Sequence, residues 1–153
     1  MFALFARLRR DAAGVSAVEF ALMLPVFLLI TAGMIDLGRA LYQTNTIEKS
    51  LRAGAMYAAR NTYPLTAAQK TEAENIVKKG NRAGTGKYMF DGWSDPASLN
   101  IFTTTEVVDG TPVPVYHFAA SVAFDPLLPG LLSALKLDQI KIKLAHEQAY
   151  IGY

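Results

Sequence analysis

The sequence predicts an α+β protein. A long N-terminal helix crosses a membrane and continues into an exported head, which adds a second helix and a small antiparallel sheet. Three observations carry this prediction. Phe20 to Ile35 reads FALMLPVFLLITAGMI, sixteen residues without a charge, directly behind a basic N-terminus. Helical spacing of apolar residues then continues to about residue 60. From Leu99 onward the chain turns to β-branched and aromatic residues grouped around an Asp-Gly turn.

Extending the apolar run back to Val15 gives twenty-one residues with Glu19 as the one charge, enough at about 1.5 Å per residue for the roughly 30 Å bilayer core. Arg7, Arg9 and Arg10 precede this segment, whereas Arg39 behind it is offset by Asp36, so the N-terminus is expected in the cytoplasm and the head outside. The chain divides accordingly into a basic leader (1–14), a transmembrane helix (15–36) and an exported head (37–153). A discarded secretory signal peptide shares the basic start and apolar stretch, but this run is long for one, and Glu19 at its threshold would serve no purpose there.

Charge adds a second constraint. The 153 residues carry fifteen Lys and Arg against thirteen Asp and Glu, a formal +2. That surplus lies entirely in the leader, because residues 15–153 hold twelve charges of each sign. A nucleic-acid partner would need cations clustered on a folded face, so none is expected. The absence of cysteine excludes disulfides, Cys-ligated metals and thiol nucleophiles.

A carboxylate at a membrane boundary is costly unless paired or hydrated. Near the start of a helix the macrodipole alone would favour Glu19 by a few tenths to about 1 kcal/mol. Residues 14–20, however, read GVSAVEF, between the arginine-containing leader and the apolar helix. This resembles the processing site of type IV prepilins, in the G-x-x-x-x-E-[Y/F] form of the tight-adherence (Tad) pilus system. The stretch from Ala12 to Arg39, with Pro25 in the apolar run and the Asp36 to Arg39 exit, is similar to the N-terminus of TadE-like minor pilins, or pseudopilins.

The resemblance implies that a membrane-embedded aspartyl prepilin peptidase cuts on the cytoplasmic side between Gly14 and Val15, leaving the helix attached to a pilin-like head. Gly14 would let the backbone enter a narrow protease site in extended form. Glu19 and Phe20 become the fifth and sixth mature residues, and the Glu19 carboxylate can neutralise the new Val15 ammonium of a neighbouring subunit and so set register. The implied partners are the peptidase, other major and minor pilin subunits, the inner-membrane assembly platform and the lipid bilayer. The implied role is pilus assembly, surface adhesion and biofilm formation, from the inner membrane with the head periplasmic or in an extracellular pilus, without a cofactor. Pro25 removes one helical hydrogen bond and either kinks the helix or is tolerated. Ala17 and Ala21 form a small-xxx-small pair.

Beyond the membrane segment, Leu37, Leu41, Thr44, Ile47, Leu51, Ala55 and Ala58 form one apolar face, with Arg39, Gln43, Thr46, Lys49 and Arg60 largely elsewhere. Glu48 and Arg52 can pair at i,i+4. A helix from Val15 to Arg60 would be near 70 Å long. Thr66 caps a second helix through a capping box with Gln69, and Gly80 closes it after Lys78 and Lys79. The following GNRAGTGK, Gly80 to Lys87, resembles a phosphate loop, but its spacing is off by one and Tyr88 replaces the required Ser or Thr, so it reads as a turn. Trp93 is expected to pack or lie at an interface. Leu99 to Val108 and Val113 to Phe124 read as a hairpin about Asp109-Gly110, Pro126 to Leu135 as an apolar turn or short helix, and Ile140 to Tyr150 as a last strand.

His117 and His146 fall in separate strands without a ligand cluster, so no metal site is expected, and no Ser-His-Asp grouping, paired carboxylates or nucleotide fingerprint is evident. Three readings result: a structural Tad pilus subunit that is not an enzyme, an uncleaved single-pass membrane protein with an exported binding domain, and an exported hydrolase.

Overall fold

A computed structural model describes residues 12–134, 136 and 140–152. Its order is α1 (Ala12–Ala59), α2 (Ala67–Lys79), two 3-10 turns (Asp91–Ser94 and Pro96–Ser98), β1 (Leu99–Val108), β2 (Thr111–Ala123), α3 (Pro129–Ala134) and β3 (Lys141–Ala149). The fold is the expected α+β arrangement. Two compact units divide it, the first ending at Gly38 and the second beginning at Arg39.

In the second unit, α1 buries Ile47, Leu51, Ala55 and Ala58 against Ala73 and Val77 of α2, Trp93, and Tyr116, Phe118, Ala120 and Val122 of β2. Each large apolar side chain so enclosed contributes about 1.5–3 kcal/mol relative to exposure. The small residues between them set the distances. A Cβ at Gly54 would lie 2.4 Å from Val77 Cγ2, 3.2 Å from Phe118 Cε1 and 3.3 Å from the Ala73 carbonyl oxygen. A helix-interior glycine costs about 1 kcal/mol relative to alanine, and here close approach of α2 and β2 is what it permits.

This buried stripe corrects the expected one at its start. Leu37 and Leu41 are exposed, and Gln43, placed by periodicity on the polar side, is buried. The reason is hydrogen bonding: Gln43 Nε2 donates to the Ala123 carbonyl at 2.9 Å, and its Oε1 accepts from the Asp125 amide at 3.3 Å. The preceding turn of α1 repeats the fixture, since Arg39 donates through Nε and Nη2 to the Asp125 carbonyl at 3.2 and 3.0 Å and through Nη2 to its Oδ2 at 3.0 Å.

Local signals set α2. The Gln69 amide donates to Thr66 Oγ1 at 3.3 Å, the Thr66 amide donates to Gln69 Oε1 at 2.9 Å, and Gly80 ends the helix at φ 73°. The Gly80 to Lys87 segment is a turn held by Asn81, whose side chain donates to the Thr85 carbonyl at 2.9 Å and accepts the Thr85 amide at 3.1 Å. The first 3-10 turn carries Trp93 into the core.

The sheet is antiparallel in the order β1-β2-β3. Asp109 and Gly110, at φ 50° and 78°, have the two left-handed residues of a type I′ hairpin turn. Strand β2 starts at Thr111, two residues earlier than expected, despite Pro112 and Pro114. The prolines fit because β3 ends at Ala149, opposite Val115, leaving that end of β2 with β1 as its ladder neighbour. Alternation puts Tyr116, Phe118, Ala120 and Val122 in the core and His117, Ala119 and Ser121 on the outer face.

Candidate functional site

The residues singled out for processing and assembly lie at the start of α1. Arg7, Arg9 and Arg10 lie outside the described residues. Gly14 and Val15 occupy the first helical turn, so the bond between them is helical rather than extended. A Cβ on Gly14 would meet nothing within 4 Å, and Gly14 does not adopt a positive φ. Neither backbone conformation nor packing within the described chain therefore requires glycine there, although it carries the usual helix penalty of about 1 kcal/mol.

Glu19 is one turn beyond Val15 on the same helix face, since residues four apart have Cβ atoms roughly 6 Å from each other. Its carboxylate is exposed and has no hydrogen bond or ion pair among the described residues. Phe20 is also exposed, as are nearly all the apolar side chains that follow through Ile35. Over an 18-residue window the mean hydropathy reaches 2.2, with 6% of the window buried. By length and composition this one N-terminal helix can cross a membrane, and it fits a single-pass protein. The helix runs unbroken through Pro25. Thr31 Oγ1 donates to the Phe27 carbonyl at 2.8 Å, the back-bond to the preceding turn that helical threonines commonly make.

What this segment can do follows from its surface. An apolar rod with a single carboxylate near one end cannot satisfy itself. Lipid or further apolar helices must cover its side chains, and a cation must meet Glu19 wherever water is excluded.

The head contains two polar clusters that local sequence patterns did not reveal. On the outer sheet face, cross-strand register brings Phe102, His117 and Glu147 side by side. The His117 ring stacks on Phe102 with centroids 4.7 Å apart, its Nε2 is 2.7 Å from Thr104 Oγ1, and its Nδ1 is 3.2 Å from Glu147 Oε1. A hydroxyl–imidazole–carboxylate grouping thus exists where none was expected, assembled from three strands. His146 does not join it, because it projects from the other face, opposite Phe118. Among the described residues no three His, Cys, Asp or Glu side chains could hold a metal ion.

The second cluster ties α1 to α2. Tyr57 Oη donates to Glu72 Oε2, and Arg82 donates to the same oxygen through Nε at 3.1 Å and Nη2 at 2.8 Å while lying over the Tyr57 ring. The Tyr57 hydrogen bond, reinforced by Arg82, lowers the Glu72 pKa. Burial and the bond to Glu72 raise that of Tyr57.

A family model described as TadE-like protein matches residues 14–56. The match starts at Gly14, takes in Glu19 and the apolar run, and ends one residue past Ala55 in the core-facing stripe. No curated protein and no solved structure matches the chain.

Proposed function

From a chain that is TadE-like over residues 14–56, we propose a structural subunit of a tight-adherence pilus and secretion system, a minor pilin or pseudopilin rather than an enzyme. Prepilin peptidase cuts between Gly14 and Val15, after Arg7, Arg9 and Arg10 have held the leader in the cytoplasm. The apolar helix keeps the mature chain in the inner membrane with its head outside. It then enters, or primes, a fibre made with other major and minor pilins on the inner-membrane assembly platform, and through that fibre it serves surface adhesion and biofilm formation.

One observation carries the reading. Gly14 is glycine where the described chain's own fold makes no demand for it, at the residue where the family match begins. A glycine there suits a peptidase that must accommodate the backbone closely.

The exposed apolar helix supports the rest. Cleavage produces an ammonium on Val15 at the edge of an apolar layer, and Glu19 of a neighbouring subunit, whose carboxylate has no partner among the described residues, neutralises it. Sheared surface fibres and membranes from a piliated strain test the reading. A strain lacking this chain is expected to assemble few or no pili and to lose surface attachment; normal pilus yield without it would contradict the proposal.

The Thr104–His117–Glu147 grouping favours a second reading, an exported hydrolase. That reading requires a hydrolytic activity that disappears in His117→Ala while membrane insertion survives.

A further inference from the structure

The two edges of the sheet are protected unequally. In the two-residue hairpin Val108 and Thr111 flank the turn and exchange ladder hydrogen bonds, so alternate β1 residues from there, Val108, Glu106, Thr104, Phe102 and Asn100, turn their amides and carbonyls toward β2. Pro112 and Pro114 agree with this parity. They lie opposite Val107 and Thr105, where β1 needs no β2 amide, and the Pro114 carbonyl accepts instead from the Tyr150 amide at 2.8 Å, beyond β3. The remaining β1 residues, Leu99, Ile101, Thr103, Thr105 and Val107, therefore point their amides and carbonyls away from the sheet. Among the described residues no backbone hydrogen bond meets them.

By the same parity the outward residues of β3 are Lys141, Lys143, Ala145, Glu147 and Ala149, all exposed. Two lysines and a glutamate along such a row discourage a further strand. β1 has no such guard. Its outward residues are uncharged, and the strand contains no lysine, arginine or proline. Thr103 and Thr105 are exposed, and Val107 is 72% exposed, the most open of the large apolar side chains. A ten-residue edge left this open is a template for another strand.

We infer that β1 pairs antiparallel with β1 of a second copy of this chain, about a two-fold axis at Thr103. Outward residues must meet outward residues, and this axis satisfies that rule along the whole strand. Thr103 meets its own counterpart, Ile101 meets the second copy's Thr105, and Leu99 meets its Val107, so an apolar contact covers Val107 at both ends. On the opposite face Phe102 lies against the second copy's Thr104 and Asn100 against its Glu106. The strand's one charge thus meets an amide, whereas parallel pairing in register would set Glu106 beside its own counterpart. The contact is isologous and closes on itself: both β1 edges are consumed, and the charged β3 edges flank a six-stranded sheet. Every residue involved belongs to the unit that begins at Arg39, so the pairing stands apart from the membrane reading of α1.

The chain contains no cysteine, so single cysteines report the register. Asn100 and Glu106 are exposed, and across the axis they form a pair with Cα atoms about 4.5 Å apart, within disulfide reach. In either cysteine variant alone the two sulfurs are held about 20 Å apart. Full-length Asn100→Cys and Glu106→Cys, mixed in detergent micelles and mildly oxidised, are expected to form a disulfide-linked dimer, and each alone at least tenfold less. Thr103→Cys should link to itself, and Val107→Cys, about 26 Å from its counterpart, should not. Adding Thr103→Lys to the mixed pair, a guard like those on β3, should abolish the link while the buried Trp93 keeps its folded-state emission; Thr105→Lys repeats the test if Thr103→Lys unfolds the head. Linking at Val107 as readily as at Thr103 would mean unordered collision and overturn the pairing. No link in the mixed pair with Trp93 still buried would overturn it, as would Thr103→Cys linking in native membranes to a different protein, whose strand would then own the edge.

Discussion

Helix α1 contains two kinds of glycine. Gly54 lies where α2 and β2 close on the helix, and a Cβ there would collide with Val77. Gly14, Gly33 and Gly38 have open space around them. The same division runs along the apolar side chains: Ile47, Leu51, Ala55 and Ala58 are enclosed by the chain's own second helix and sheet, while Phe20 to Ile35 are mostly bare. In its head portion α1 is explained by intramolecular packing. In its N-terminal portion almost none of its apolar side chains is covered by the described chain.

The comparison can be broken most decisively at Gly14. Gly14→Leu should abolish processing without changing head stability; a normally shortened variant would place the cleavage elsewhere. Glu19→Val should leave insertion and cleavage intact but strongly reduce the amount recovered in sheared fibres, because the Val15 ammonium loses its partner. Normal recovery would remove Glu19 from assembly.

Gly54→Val is the mirror experiment. Processing should be untouched, while overpacking lowers head stability by about 3 kcal/mol. Trp93 is the only tryptophan in the sequence and is fully buried in the head core, so its emission during urea unfolding of the full chain in detergent reports this loss directly. Gly38→Ala, with nothing near its Cβ, should shift that transition little. Gln43→Leu removes two hydrogen bonds to the backbone around Asp125 and should cost about 1–2 kcal/mol by the same measurement.

The smallest expected effect is on acid stability. The Tyr57 and Arg82 hydrogen bonds depress the Glu72 pKa in the fold, so the stabilisation is complete above the ordinary carboxylate value of 4.5 and is lost as pH falls through the lower folded value. Glu72→Gln should flatten the stability profile below pH 4.5 and leave its slope near neutrality unchanged.

Much of this architecture was legible because it is locally determined. Thr66 with Gln69, Gly80 and the Asp109-Gly110 turn each fix a boundary through neighbours in sequence, and β1 spans the residues its composition indicated. The TadE-like signature is local as well. Features that depend on partners distant in sequence were hidden. Periodicity assigned Gln43 to the polar side because its hydrogen bonds go to residues eighty or more positions away. Thr104, His117 and Glu147 meet only once strand register is set. Gly54 resembles any helical glycine until α2 is placed beside it.

The central claim is that Gly14 serves an external enzyme and not the fold. Intact-mass analysis of the protein extracted from native membranes, in cells with an active prepilin peptidase, tests it most directly. The account predicts a mature chain beginning at Val15; a chain retaining Met1 would contradict it.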